Sequence, residues 1–344
     1  MIRLRLVALL AGLGALLACV PALSRPVPDA PPEESTAVRD ARPGLPLLVA
    51  AARAARAQAW RGTQRVVASG APETHLEVRH VPGHGSEVRG PDGAPVVAAD
   101  VLDESLLSLL ENNYEVRVAG TGRCAGRLAV LVEAVRPGVV GPGAVAARFW
   151  VDRASALLLR RDVHDAEGSL LRSAEMTSLE VRSGVRPVEQ ETAGSVLRPR
   201  GERLTAEALA LLAEQGWPVP RSLPRGFELY DARLLDGQVL QLAYSDGLST
   251  TSVFAQRGAL PVVSNGLVRE VDGASVWQPA GEPGRLVWSA DGLAFTLVSD
   301  ASADARDAAV AALPHAHDRV AEEGVLPRVW RGLDRVGSWL NPFD

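Results

Sequence analysis

The residues of this chain that could do chemistry are few. His75, His80 and His84 lie close together, and imidazoles at short spacing raise the question of a metal centre. On an extended strand His75 and His80 point to opposite faces, and no cysteine or carboxylate pattern completes a ligand set. They read as exposed strand and loop histidines. His315 and His317, past a helix end, read as solvated. Gly120, Gly122 and Ala125 satisfy the letter of a G-x-G-x-x-A dinucleotide motif. That motif works only when a helix follows, so that free N–H groups meet the pyrophosphate. Here an apolar, strand-like run follows, and the glycines are assigned to a turn. Cys124, beside that turn, reads as a small semi-buried side chain. Asp162 and Asp165 fall where turns and exposed faces are expected. There is no G-x-S-x-G or H-E-x-x-H pattern. There is also no lysine, which removes Schiff-base chemistry and a Walker-type phosphate loop. No enzyme, metal or cofactor is indicated.

Composition narrows the field further. The chain has 344 residues and a formal net charge of -5, and aromatics make up 4%. Such a length favours two domains, the core must come from Leu, Val and Ala, and the acidic balance argues against nucleic acid. The first 24 residues read as an export signal or anchor, with Arg3 and Arg5 before the apolar run Leu6 to Leu17. Leu16-Leu17-Ala18-Cys19 resembles a bacterial lipobox, which would make Cys19 the lipidated residue. Two alternatives stand beside it: cleavage near Ala22-Leu23-Ser24, or an uncleaved anchor from Leu6 to Leu23. All three place the protein outside the cytoplasm, and two attach it to a membrane. Residues 25–43 are rich in proline and charge and read as a flexible tether.

The elements that must position any site follow from periodicity. The pattern predicts a helix over 44–59, strands at 64–68 and 76–81, a Gly/Pro-rich loop over 87–98, and a helix over 101–111 with Asp100 as N-cap. Alternation then gives strands at 114–118, 127–135, 148–152, 157–163 and 170–181, joined by connections too short for anything but an antiparallel meander. Arg127 to Val135 is apolar on both faces, which fits a central strand or one lining a cavity. Residues 182–216 read as a linker with a short helix capped by Thr205 and stopped at Gly216. The second domain, 217–315, carries two hairpins with Asp246-Gly247 and Asp291-Gly292 turns, both positions expected at positive φ. It closes with a helix over 304–313 stopped by Pro314. In the tail 316–344, Leu326, Val329, Trp330, Leu333, Val336, Trp339 and Leu340 recur at helical spacing. That suits an amphipathic helix on a membrane surface or partner, or one packed on its own domain.

Taken in order, these pieces resemble the MucB/RseB family of extracytoplasmic negative regulators of a stress-response sigma factor. The resemblance rests on WRGT after the first helix, Gly126-Arg127, Trp150-Val151-Asp152, the run Leu157–Arg161 and the turn ending at Gly168. In the second domain it rests on Leu223-Pro224-Arg225-Gly226-Phe227 and Tyr244-Ser245-Asp246-Gly247-Leu248. It covers roughly 44–315. The resemblance implies an α+β protein. Residues 44–181 would form a LolA-like, strongly curved antiparallel sheet, a half-open barrel around helices with an apolar cavity. A smaller C-terminal α/β domain would follow. It implies binding of the extracytoplasmic domain of an anti-sigma factor, shielding it from regulated proteolysis, with a lipidic envelope-stress ligand releasing it. A lipid or lipoprotein carrier is the alternative. The interface is expected on the second domain, on 182–203, or on both. Deletion of 217–344 is expected to remove partner binding and leave the first domain folded.

Overall fold

The computed structural model describes residues 43–94, 104–182, 201–258 and 266–315. Cys19 and the export signal, the Asp100 cap, most of the linker, His317 and the tail lie outside the described residues. Among the described residues no helix is long and apolar enough to cross a membrane.

The first part of the chain folds as helix α1 (Leu45–Ala57), strands β1 (Ala59–Ala68), β2 (Thr74–Val81) and β3 (Gly85–Arg89), and helix α2 (Glu104–Asn113). Strands β4 (Glu115–Cys124), β5 (Arg127–Val135), β6 (Val145–Asp152), β7 (Leu158–His164) and β8 (Leu170–Arg182) follow. They make one 8-stranded sheet in the order β3-β2-β1-β8-β7-β6-β5-β4, antiparallel throughout. Strands β3 and β4 are its edges and do not pair with each other, so the barrel is not closed. Two expectations change here. The strand β3 occupies the start of the stretch read as a loop, because Val88 is buried and pairs with Val78. Strand β1 begins before Gln64, since Trp60 and Arg61 already pair with Val181 and Glu180.

Helix α1 is seated against this sheet by its N-cap, Gly44. The Gly44 N–H donates to the Val116 carbonyl at 2.9 Å. A Cβ there would lie 2.6 Å from Val132 Cγ1. From that seat Leu48, Ala51 and Ala52 pack with Leu107 and Leu110 of α2 and with Val132, Ala134, Ala147, Phe149 and Val163 of the sheet. Burying each of the leucine, valine and phenylalanine side chains contributes roughly 1.5–3 kcal/mol, and each alanine less, before ordering costs. Strand β5 is apolar on both faces for a local reason. Val132 and Ala134 join this helix-side cluster, while Ala129 packs on the opposite face with Cys124, Leu159 and Trp150. It lies next to an edge, not at the centre.

The second part contains β9 (Glu202–Arg203), α3 (Ala206–Glu214), β10 (Ser222–Leu223), β11 (Phe227–Leu235), β12 (Val239–Ser245), β13 (Thr250–Arg257) and β14 (Leu267–Val271). It ends with β15 (Ala274–Gln278), β16 (Arg285–Ala290), β17 (Leu293–Ser299) and α4 (Ala303–Ala311). The nine strands belong to a second antiparallel sheet, ordered β10-β11-β12-β13-β17-β16-β15-β14 with β9 on β11. Both predicted hairpins exist as β12–β13 and β16–β17, but they are neighbours inside a larger sheet that also holds β11 and the β14–β15 hairpin. Thr205 caps α3 by accepting from the Ala208 N–H, as its position predicts. Helix α4 lays Ala305, Ala309 and Val310 on a core that includes Trp288, Phe295, Leu286 and Leu297.

Candidate functional site

Among the described residues no helix or strand of the first sheet layer packs extensively along an element of the second, and turns supply the main contacts of the junction. The main one is the β12–β13 turn. Ser245 pairs with Thr250, so Asp246 to Ser249 form the loop. The Asp246 carboxylate organises it by accepting from the N–H groups of Leu248 at 2.8 Å and Ser249 at 2.6 Å. This is an Asx-type turn in which a side chain replaces a backbone acceptor. It corrects the expectation of two positive φ angles: Gly247 has φ +93 and Asp246 does not, whereas Asp291 and Gly292 are both positive.

The turn docks on the end of α2. The Tyr114 hydroxyl donates to Asp246 Oδ2 at 2.7 Å. Asn113 Nδ2 donates to the carbonyls of Asp246 and Gly226, each at 3.1 Å. Leu248 enters the cluster beneath α1 and α2 and is 3% exposed. Arg161 and Arg172, from β7 and β8, both donate to the Leu248 carbonyl. Arg172 also pairs with Asp300, which in turn accepts from the Thr250 N–H at 2.7 Å. Burial pushes the Asp246 carboxyl above the usual range, against the pull of its donors, Ser249 first. The Tyr114 phenol is pushed up by burial and by the neighbouring Asp246 charge.

The motif residues thus separate into several groups. Gly226, Asp246 and Gly247 meet at the junction with Asn113 and Tyr114, two residues the sequence did not single out. Pro224 lies in the exposed β10–β11 turn, and Phe227 is buried in the second core. Gly126 makes the β4–β5 turn, with Ala125, at positive φ. Next to it Arg127 forms an ion pair with Asp152 at 2.8 Å, and the same carboxylate accepts from the Ser155 hydroxyl at 2.6 Å. Burial alone would raise Asp152, yet Arg127 and Ser155 together hold it below the usual carboxylate range. Gly168 sits against the Pro142 carbonyl, where a Cβ would lie 2.6 Å away. Trp150 carries the Arg160 guanidinium 4.9 Å from its ring centre. Arg160 pairs with Asp162 and Glu175, and Glu175 with Arg65.

Other candidates resolve plainly. Asp162 is buried, not at an exposed face, because it accepts from Arg160 and from the Ser173 hydroxyl at 2.7 Å. His80 is likewise buried, unlike exposed His75 and His84. Its ring bonds to the Ser86 hydroxyl and the Arg56 carbonyl and stacks on Trp60. His315 is half-buried, against the Leu313 carbonyl. Gly120 and Gly122, expected in a turn, instead lie within β4, paired with Leu131 and Ala129 of β5; the turn comes later, at Ala125-Gly126. Cys124 is buried, and burial with the Glu175 charge pushes its thiol up to about 12. A polar cleft of about 450 Å³ lies over β3, β2, β1 and β8, lined by Arg61, Arg79, Arg89, Glu77, Glu87 and Glu180 among others. Its charges are of both signs: Arg61 of β1 pairs with Glu180 of β8, and Arg89 pairs with Glu87 along β3.

Residues 92–197 match the family model for the MucB/RseB N-terminal domain. Among solved structures the chain resembles the crystal structure of MucB, with a TM-score of 0.50 and 20% identity, over 79% of this chain and 98% of that one. It also resembles MucB in complex with MucA(peri), with a TM-score of 0.48 and 21% identity over 80% and 100% of the two chains. The MucA/MucB complex of Pseudomonas aeruginosa gives 0.46 and 22% over 77% and 96%. At these identities the likeness is one of fold. No curated protein matches the sequence.

Proposed function

We propose, from the premise that this chain belongs to the MucB/RseB family through residues 92–197, that it is an extracytoplasmic regulator that binds an anti-sigma factor. The observation that carries this reading is the family match, which spans α2 to β8. MucB has been solved in complex with MucA(peri), and the corresponding partner here is the outer segment of a single-pass anti-sigma factor. The protein acts by binding, not by catalysis. It shields that segment from regulated proteolysis until a lipidic envelope-stress ligand releases it. Residues 44–181 and 217–315 act as its two domains, and the N-terminus, by lipidation at Cys19 or as an anchor, holds it at the membrane. Confinement to the membrane surface raises the effective concentration of a membrane-bound partner without a large interface.

The partner surface is proposed on the second domain, on the linker 182–203, or on both. Truncation is a poor test of this, because removing residues 217–344 also removes Leu248 from the first core. The better experiment keeps the chain whole. Residues 25–344 are immobilised, exposed to detergent-solubilised membranes of the source organism, and the retained proteins are identified by mass spectrometry. Enrichment of a single-pass membrane protein with a cytoplasmic sigma-binding domain supports the reading. Co-purifying lipid with no retained protein favours the lipid or lipoprotein carrier, which the apolar cluster under α1 and α2 also suits.

A further inference from the structure

Strand β14 is an edge of the second sheet: among the described residues it pairs with β15 and has no strand on its other side. Its first two residues, Leu267 and Val268, are each 64% exposed. Neighbours along a strand point to opposite faces, so this apolar surface wraps around the edge. Leu267 shares a face with Arg269, which pairs with Asp307 of α4 at 2.8 Å. Val268 is on the other face, in register with Trp277. A layer laid on either face of the sheet would bury one of the two side chains. An element lying along the edge would bury both. Exposed apolar edges are templates for unwanted strand pairing, and native sheets cover them with a helix or a loop.

The chain itself leads to this edge. After α4 the Trp288 indole N–H donates to the Pro314 carbonyl at 2.8 Å, and the His315 ring lies 3.5 Å from the Asp272 carboxylate. Asp272 is in the β14–β15 turn, so the tail sets out from the end of the strand whose flank is bare. In the sequence 326–340, at about 100° per residue, Leu326, Val329, Trp330, Leu333, Val336 and Leu340 fall on one side. Arg328, Arg331 and Arg335 fall on the opposite side. Pro327 suits a first helical position. A helix over this stretch is about 21 Å long, against roughly 13–17 Å for the five residues of β14. The chain from 315 to 326 can span up to about 36–40 Å, enough to lay that helix along the strand.

We propose that the tail covers the β14 edge within its own chain: residues 326–340 lie along β14 as an amphipathic helix, with the apolar stripe on Leu267 and Val268 and the arginines in water. Two exposed side chains are far less than the surface a stable dimer needs. A segment tethered at His315 is held at high effective concentration, so a small contact is sufficient. The helix closes the sheet edge to other strands. It belongs to residues beyond 44–315, the stretch that resembles the family. The contact needs neither an anti-sigma factor nor a lipid, so it stands or falls separately from the partner reading.

The test is hydrogen exchange read by mass spectrometry on the chain from residue 25 onward, which keeps every described residue and the whole tail. In wild type without lipid, the amides of 326–340 are expected to exchange at least about tenfold more slowly than a free chain, a factor equivalent to ~1.4 kcal/mol. The double variant Leu267→Lys, Val268→Lys changes only exposed edge positions and is expected to abolish that protection. The converse pair, Trp330→Asp with Leu333→Asp, is expected to speed exchange in the peptide 266–271. It alters no residue of either sheet, so it decides the matter if the edge variant loses its near-UV circular dichroism. Protection of the tail is expected to be independent of protein concentration. Four results overturn the proposal. They are a tail that exchanges as a free chain, protection unchanged by the folded variants, protection that grows with protein concentration, which would place a second copy on the edge, and protection that arises only on adding phosphatidylglycerol vesicles, which would make the tail a membrane-surface helix.

Discussion

Replacing Gly247 with alanine isolates the energy of the junction, because a second Asp-Gly turn in the same sheet serves as its control. Gly247 has φ +93 and Gly292 has φ +72, so alanine is strained at both. That strain is roughly 1–2 kcal/mol, partly offset by about 0.4–1 kcal/mol from the stiffer unfolded chain. The surroundings differ completely. A Cβ at Gly292 meets nothing within 4 Å, whereas at Gly247 it lies 2.3 Å from the Leu110 amide nitrogen and 2.5 Å from its Cα. The obstacle is helix backbone, which cannot rotate aside, so the turn must back away from α2. Leu248 then leaves its cluster, and the loss approaches that of a large-to-small core change, ~2–5 kcal/mol. Gly247→Ala is therefore expected to lower stability by about 3–5 kcal/mol, and Gly292→Ala by about 1 kcal/mol or less. Urea unfolding at one pH, with the slope checked for constancy, measures both. Equal losses, or a smaller loss at Gly247, would refute the claim that the turn is clamped against α2.

Three further outcomes follow from individual groups. Asp246 has a raised carboxyl in the folded state, so its contribution is full at low pH and is lost as pH climbs through that raised value. Asp246→Asn should lose less stability than wild type between acid and neutral pH in urea midpoints, and parallel curves would contradict the burial argument. Asp152 is held low by Arg127 and Ser155, so its contribution is present at neutral pH and lost as pH falls through its folded value. Asp152→Asn is expected to cost about 2 kcal/mol at neutral pH, with the difference shrinking in strong acid; a pH-independent cost would mean that shape, not charge, matters there. With its thiol pushed up to about 12 and buried, Cys124 should escape iodoacetamide in the native protein and react after denaturation. Peptide mapping by mass spectrometry reads this directly, and native alkylation would show that the site opens.

Much of the first sheet was legible because its strands alternate and its turns are short. Strands β5, β7 and β8 could be read to within a residue, whereas β4 runs on to Cys124 and β6 starts at Val145, beyond the expected bounds; local chemistry was enough for the α3 cap at Thr205 and the β16–β17 turn at Asp291-Gly292. What failed were features that depend on neighbours distant in sequence. Strand β3 looked like a loop because only its pairing with β2 makes it a strand. Asp162 and His80 looked exposed because their partners, Ser173 and the Arg56 carbonyl, come from other elements. The Asp246-Gly247 pair announced a turn, but its φ angles were set by Asp246 capping the loop, and its purpose by contact with α2.

By itself, then, the sequence determined the local alphabet of this protein: antiparallel hairpins, helix starts, an acidic lysine-free chain, and motifs in the order of one family. Those follow from periodicity, φ preferences and composition, all properties of neighbours along the chain. Only the tertiary structure decided that motifs from two parts of the chain meet. Asn113 and Asp246 share a hydrogen bond across a sequence separation of 133 residues. No periodicity reports such a contact, because the burial that makes it strong exists only once both sheets have formed and packed.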